Sequence, residues 1–164
     1  MSAPKLIVTA KPGKTRKCIT EILNVLLKHD QNSSVEEVVS NVLIVNSSLD
    51  ANLVYGIIIS RPPSCMNNIY PIHLILDSNS EKTIINSIKE YFLNNFKEIK
   101  NIYCRCYARN VKVDCRVVEI GVGIALKDNV IINYKKPDII IIVNIVPNRT
   151  FISFIRKGQE KVSV

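Results

Sequence analysis

The chain has no tryptophan, only two histidines (His29 and His73) and five glycines in 164 residues. Two histidines leave little for conventional general-base chemistry. The glycines form no phosphate-cradling fingerprint: Gly121-Val122-Gly123 lacks the third glycine and falls inside an expected helix instead of opening one. No P-loop, nucleophile elbow or paired-carboxylate motif is present. The longest uninterrupted apolar run, Ile139 to Val143, is far short of the ~20 residues that a membrane span needs. The N-terminus MSAPKLIVTAKPGK has no apolar stretch of signal-peptide length, so a soluble, cytoplasmic protein without a membrane partner is expected. Five cysteines, an odd number in a chain too large to look like a disulfide scaffold, fit a reducing compartment. Cys104, Cys106 and Cys115 match no zinc spacing and read as small buried cysteines, and Cys18 as a packed helix residue. His73 alternates with Ile72 and Leu74 and reads as a strand histidine. The absences together predict a chain that is not an enzyme and holds neither cofactor nor metal.

What is present is a core-forming composition and a lopsided charge. Apolar residues make up 47% and charged residues 22%, close to globular averages, which suits one ordinary domain or two small ones. The formal net charge is +8. Residues 1–77 carry seven Lys/Arg against six Asp/Glu, whereas residues 78–164 carry fifteen against eight. Such an excess is the footprint of a polyanion partner, although a basic surface also serves plain solubility. Two clusters concentrate it. The first twenty residues hold Lys5, Lys11, Lys14, Arg16 and Lys17 and no acid. Residues 99–118 hold Lys100, Arg105, Arg109, Lys112 and Arg116 with Asp114 as the one carboxylate. Both fall where a strand hands over to a helix, and the positive end of a helix dipole there adds to the attraction for phosphate.

The periodicities predict β-α-β-β-α-β over the first half, a ferredoxin-like order. A strand over 5–10 leads through the Lys11–Lys14 turn into a helix over 15–29, where Cys18, Ile19, Ile22, Val25 and Leu26 share a face. Two short β-branched runs, 35–39 and 42–45, form a hairpin about Ser40-Asn41. Asp50 caps a second helix ended by Arg61-Pro62-Pro63, and a strand over 69–76 follows, placed at a sheet edge by Pro71. In the second half Ser80 caps a helix running to Phe96. After the strand over 99–109, the segment 111–127 alternates like a strand at first. Its polar stripe of Lys112, Arg116, Glu119, Gly123 and Lys127 nevertheless marks a helix. Strands over 130–134, 138–146 and 150–155 complete the chain, the middle one buried on both faces, with a frayed tail from Arg156.

The strand over 99–109 carries the chemistry. Ile102, Cys104, Cys106 and Ala108 fall on one face; Tyr103, Arg105, Tyr107 and Arg109 fall on the other. Rings interleaved with guanidiniums suit RNA, since bases or sugars stack on the rings while arginine forks onto phosphate. The same pattern suits a solvated sheet face, and the residues alone leave both open.

Several ordered segments resemble the THUMP domain, an RNA-binding module of thiouridine synthases, tRNA methyltransferases and pseudouridine synthases. They are Tyr103-Cys104-Arg105-Cys106-Tyr107-Ala108-Arg109, then Arg116-Val117-Val118-Glu119-Ile120-Gly121, then Ile132-Asn133-Tyr134-Lys135-Lys136-Pro137-Asp138, and a hairpin to Thr150-Phe151-Ile152-Ser153. In the first half, Leu6-Ile7-Val8-Thr9, Arg16-Lys17-Cys18-Ile19-Thr20-Glu21 and Asn41-Val42-Leu43-Ile44-Val45 resemble the THUMP-only adaptors of tRNA cytidine acetylation. Departures from that family's pattern are Asn133 in place of an acid, Lys136 in place of Asn, and a link at 76–80 without its Pro and Cys.

The resemblance implies an α/β (α+β) chain, with an N-terminal ferredoxin-like domain (1–77) packed on a C-terminal THUMP RNA-binding domain (78–164). It implies a noncatalytic adaptor that grips the acceptor end of tRNA and presents it to an RNA cytidine acetyltransferase. On that reading Arg105, Arg109, Lys112 and Arg116 contact phosphates, and Tyr103 or Tyr107 packs on a sugar or unpaired base. Lys135 and Lys136 extend the track, and Lys11, Lys14, Arg16 and Lys17 offer a second contact. The rival expectations are a THUMP protein serving another tRNA modification enzyme and a basic module for an acidic protein partner.

Overall fold

The computed structural model describes residues 1–162 and divides into two compact units, Met1–His73 with residues 158–162, and Leu74–Lys157. The chain is mixed α/β, with the ferredoxin-like order in its first half.

In the first unit, β1 (Ala3–Ala10), α1 (Thr15–Leu26), β2 (Ser34–Val39), β3 (Val42–Ser47), α2 (Ala51–Ser60) and β4 (Met66–Pro71) follow in sequence. The sheet order is β2-β3-β1-β4, with every neighbouring pair antiparallel. Two crossover helices force β1 between β3 and β4, so Ile7 lies opposite both Ile44 and Tyr70. Leu6 and Val8 alternate onto the helix side and pack with Leu43, Val45, Ile22, Leu26, Val54 and Ile58. The hairpin turns at Asn41, whose φ of 64° lies in the left-handed region that asparagine tolerates. Pro71 ends the edge strand β4, where a missing N–H breaks no ladder.

Three expectations in this half are corrected. Cys18 is bonded to Cys65, 47 residues away, instead of packing as a thiol. The strand expected over 69–76 is two strands: β4 ends at Pro71, and β5 (Leu74–Leu76) pairs with a strand of the second unit's sheet. The tail does not fray at Arg156. The Ile69 N–H donates to the Glu160 carbonyl at 2.9 Å, and the Tyr55 hydroxyl donates to the Gln159 carbonyl at 2.6 Å.

The second unit continues with α3 (Glu81–Asn95), β6 (Asn101–Ala108), α4 (Cys115–Ala125), β7 (Ile131–Ile132), β8 (Ile139–Val146) and β9 (Arg149–Ile155). Its sheet order is β5-β9-β8-β6-β7; β6 runs parallel to β7 and β8, and β9 runs antiparallel to β8 and β5. Ser80 caps α3 by accepting from the Thr83 N–H, and Asp114 caps α4 by accepting from the Arg116 N–H at 3.0 Å. That cap explains why the alternation over 111–117 gives way to helix. Ile84, Ile88 and Phe92 of α3 and Val118 and Val122 of α4 pack on Ile102, Cys104 and Cys106 of β6 and on β8. Gly121 lets the two helices meet closely, because a Cβ there would lie 2.3 Å from Ile85 Cδ1. Every residue of β8 is buried, as its unbroken Ile/Val run predicts. β7, expected over 130–134, keeps only two residues at the sheet edge.

Candidate nucleic-acid interface

The side chains of β6 split as its alternation requires. Ile102, Cys104 and Cys106 are buried under the helices, whereas Arg105 is exposed and Tyr103 and Tyr107 are half-buried. On this second face each arginine lies over a ring: the Arg105 guanidinium is 5.6 Å from the Tyr103 centroid, and that of Arg109 is 5.0 Å from Tyr107. The Tyr107 hydroxyl accepts from Arg105 and holds its guanidinium charged, above the ordinary arginine value. Tyr103 also packs on Tyr134, with ring centres 5.1 Å apart. The result is a ladder of rings and guanidiniums in contact with one another, an arrangement able to stack and to fork onto phosphate.

Arg109 is aimed by the sheet itself. Its backbone N–H donates to the Ile145 carbonyl at 2.8 Å, and its Nε donates to Asn144 Oδ1 at 3.0 Å. Lys112 is exposed in the loop between β6 and α4, whose two ends are joined by a Cys106–Cys115 bond. This corrects the expectation of three small buried thiols, and with it the reading of the five cysteines as a sign of a reducing compartment: among the described residues only Cys104 is free, and burial pushes its pKa up. Arg116 is exposed in the first turn of α4. Glu119 points inward, its Oε2 accepting from the Cys106 N–H at 2.8 Å.

Lys135 and Lys136 are exposed on a turn built by Asn133, whose Oδ1 accepts both of their backbone N–H groups, at 3.1 and 3.0 Å. Asn133 Nδ2 donates to Asn101 Oδ1 at 3.3 Å, and Asp138 Oδ2 accepts from the Asn101 N–H at 3.0 Å. The turn is therefore tied to the start of β6. Those backbone and side-chain bonds from Asn101 hold the Asp138 carboxyl below its usual value.

In the first unit Lys11, Lys14, Arg16 and Lys17 are all exposed around the N-terminus of α1. Lys11 Nζ donates to the Ser64 carbonyl at 2.8 Å, and Lys17 pairs with Glu21 at 3.6 Å. Among the described residues no group of three His, Cys, Asp or Glu side chains could hold a metal ion, and no helix is long and apolar enough to cross a membrane.

Sequence reasoning missed Tyr134 and Asn133 as parts of this surface, and the buried Asn144 that supports it. Asn144 had a visible signal, as the one polar residue in the β8 run. The cysteine bonds had none.

No protein-family model and no curated protein sequence matches the chain. Solved structures do. PH1313 from Pyrococcus horikoshii Ot3 is similar at a TM-score of 0.68 and 16% identity, over 93% of this chain and 54% of that one. A possible methylase from Clostridium difficile 630 is similar at 0.63 and 13%, over 98% and 42%. A 4-thiouridine synthetase, solved with RNA and bound ATP, is similar at 0.56 and 14%, over 93% and 41%. The THUMP domain of THUMP domain-containing protein 1 also matches, at 0.38 and 18%, over 49% of this chain and 93% of that one. The chain spans between 41% and 54% of the length of the first three. At these identities the likeness is one of fold. It still corrects the expectation that the chain is not an enzyme: the fold is carried by a thiouridine synthetase and by a possible methylase, so missing sequence motifs are no ground for excluding catalysis.

Proposed function

We propose that this chain binds tRNA for a tRNA-modification reaction, with a THUMP RNA-binding domain in its second half and a ferredoxin-like domain in its first. The observation that carries the reading is the ladder on β6, where Arg105 and Arg109 each lie over a tyrosine ring and Asn144 fixes Arg109 from below. Arg116, Lys112, Lys135 and Lys136 supply exposed cations on the adjoining helix and turns. Such a surface reads backbone shape and unpaired bases in place of base-edge sequence in a duplex. The similarity in fold to a synthetase solved with RNA supports the substrate class.

The finer reading is that the acceptor end of tRNA is presented to an RNA cytidine acetyltransferase in the cytoplasm. Its support is the ordered resemblance of the second half to the THUMP domain and of the first half to the THUMP-only adaptors of cytidine acetylation. Mapping acetylcytidine in tRNA from cells with and without this protein tests it. Loss of the modification in its absence is expected, and an unchanged map rejects the acetylation reading. Binding is tested separately by fluorescence anisotropy against tRNA and an unrelated blunt duplex. Equal competition by the blunt duplex rejects acceptor-end recognition.

A further inference from the structure

The helices over the second unit's sheet stop one position short of its edge. Gly121 of α4 faces Ile85 of α3, whereas Gly123, two residues on, faces Ile132 of β7, whose Cδ1 would lie 3.6 Å from a Cβ added there. One flank of α4 is thus filled by α3, and the other looks over β7 into a groove of about 480 Å³. Branched aliphatic side chains and a ring line it in the open: Ile120 is 56% exposed, Ile124 60%, Ile132 42% and Tyr134 66%. With Val117 and Ile131, this short stretch of chain holds six of the ten large apolar side chains that stand exposed among the described residues. Clustering of that kind marks a protein-contact surface, because single exposed apolar residues are ordinarily scattered.

We propose that this groove docks an amphipathic helix from a partner protein, apolar along one face and acidic at its ends. The architecture selects a helix, since a third one laid beside α4 over β7 completes the layer that α3 and α4 begin, at the usual ~8–10 Å between axes. The charge selects its sign. Arg116 and Lys127 line the two ends of the groove, while the one acid lining it, Glu119, is turned onto the Cys106 N–H. The three isoleucines, Ile120, Ile124 and Ile132, offer nucleic acid neither a donor to phosphate nor a flat face to a base, while Tyr134 and Arg116, which also line the groove, are shared with the β6 surface.

The test uses the full chain and three synthetic peptides of ~18 residues, long enough for several helical turns. One is an amphipathic Leu/Glu helix, one its scrambled counterpart, and one the Leu/Lys version. In fluorescence anisotropy the Leu/Glu helix is expected to bind at one-to-one stoichiometry, at least about tenfold more tightly than either control. Ile124→Gln and Lys127→Glu are each expected to weaken it about tenfold, with tRNA affinity in the Ile124→Gln protein held within about twofold. Ile124 is exposed and Gln suits a helix, so that variant keeps its fold, which circular dichroism checks. Equal binding of the scrambled peptide overturns the proposal. Loss of tRNA affinity in Ile124→Gln also overturns it and assigns the groove to RNA. Concentration-dependent dimerisation abolished by Ile124→Gln overturns it in favour of a second copy of this chain.

Discussion

Arg109 Nε donates to Oδ1 of Asn144 across 3.0 Å, and Asn144 is fully buried in a strand otherwise made of isoleucine and valine. A lone amide in that setting is costly to bury, and its Oδ1 has one visible use: to aim the guanidinium above Tyr107. Asn144→Ala is therefore expected to lower unfolding stability by about 1–2 kcal/mol and to weaken tRNA binding. Urea unfolding and anisotropy check the two effects separately. If stability falls while affinity holds, Asn144 supports the sheet alone.

The two cysteine bonds are expected to differ in weight. Cys18–Cys65 closes 47 residues and Cys106–Cys115 only nine. Loop-closure entropy then predicts that Cys18→Ser costs about 4 kcal/mol and Cys115→Ser about 2–3 kcal/mol. The smaller loss has the more local consequence. The shorter loop carries Lys112 and is flanked by Arg116, so hydrogen exchange over 107–114 is expected to rise in Cys115→Ser. Equal destabilisation by the two variants contradicts this ordering.

Acid is expected to unfold the chain in two stages. Burial depresses His73 below 6.5, with Asp50 opposing. Its contribution is complete above that pH and declines below it, as the unfolded chain takes up the proton first. Asp30 is depressed below 3.8, chiefly by the Ser47 hydroxyl at 2.6 Å and next by the Ser48 N–H at 2.7 Å. Its contribution is complete above that ordinary value and is lost as the pH falls through the lower, folded one. Thermal melts from pH 7 to pH 2 check both stages. Asp30→Asn should flatten the acid limb and leave the first stage alone, and an unchanged acid limb removes Asp30 from the account.

The β-α-β-β-α-β order was legible because each element carries its own period: Leu6 and Val8 alternate, and Cys18, Ile22 and Leu26 recur at helical spacing. The β6 face was legible for the same reason, since Tyr103, Arg105 and Tyr107 are forced onto one side by the pleat. What stayed hidden depends on partners distant in sequence. Nothing local to Cys18 points to Cys65, and nothing in Leu74-Ile75-Leu76 says that it pairs with β9 and leaves β4 behind. In the helix expected over 111–127, the stripe of Lys112, Arg116, Glu119, Gly123 and Lys127 drew attention to charge, and nothing set Ile120 and Ile124 apart. They stand exposed because the helix layer ends at α4, a property of the sheet edge that no helical period reports.

Asn133 and the lysines it positions allow charge to be separated from geometry. Its Oδ1 accepts the backbone N–H groups of Lys135 and Lys136, so the side chain shapes the turn without carrying charge. Removing a phosphate contact flattens the dependence of log K on log salt by about 0.9 per charge on duplex DNA and about 0.7 on a single strand, which bracket the effect expected for tRNA. Lys135→Ala with Lys136→Ala is accordingly expected to flatten the slope by up to about 1.8 and to lose affinity most at low salt. Asn133→Ala keeps both charges, so it should weaken binding by a similar factor at every salt concentration and leave the slope nearly unchanged. A salt titration of tRNA binding distinguishes the two. If both variants move the slope together, the loosened turn has withdrawn the lysines from phosphate altogether; if neither moves anything, the RNA path leaves β6 in another direction, and the cations of α4 must carry it.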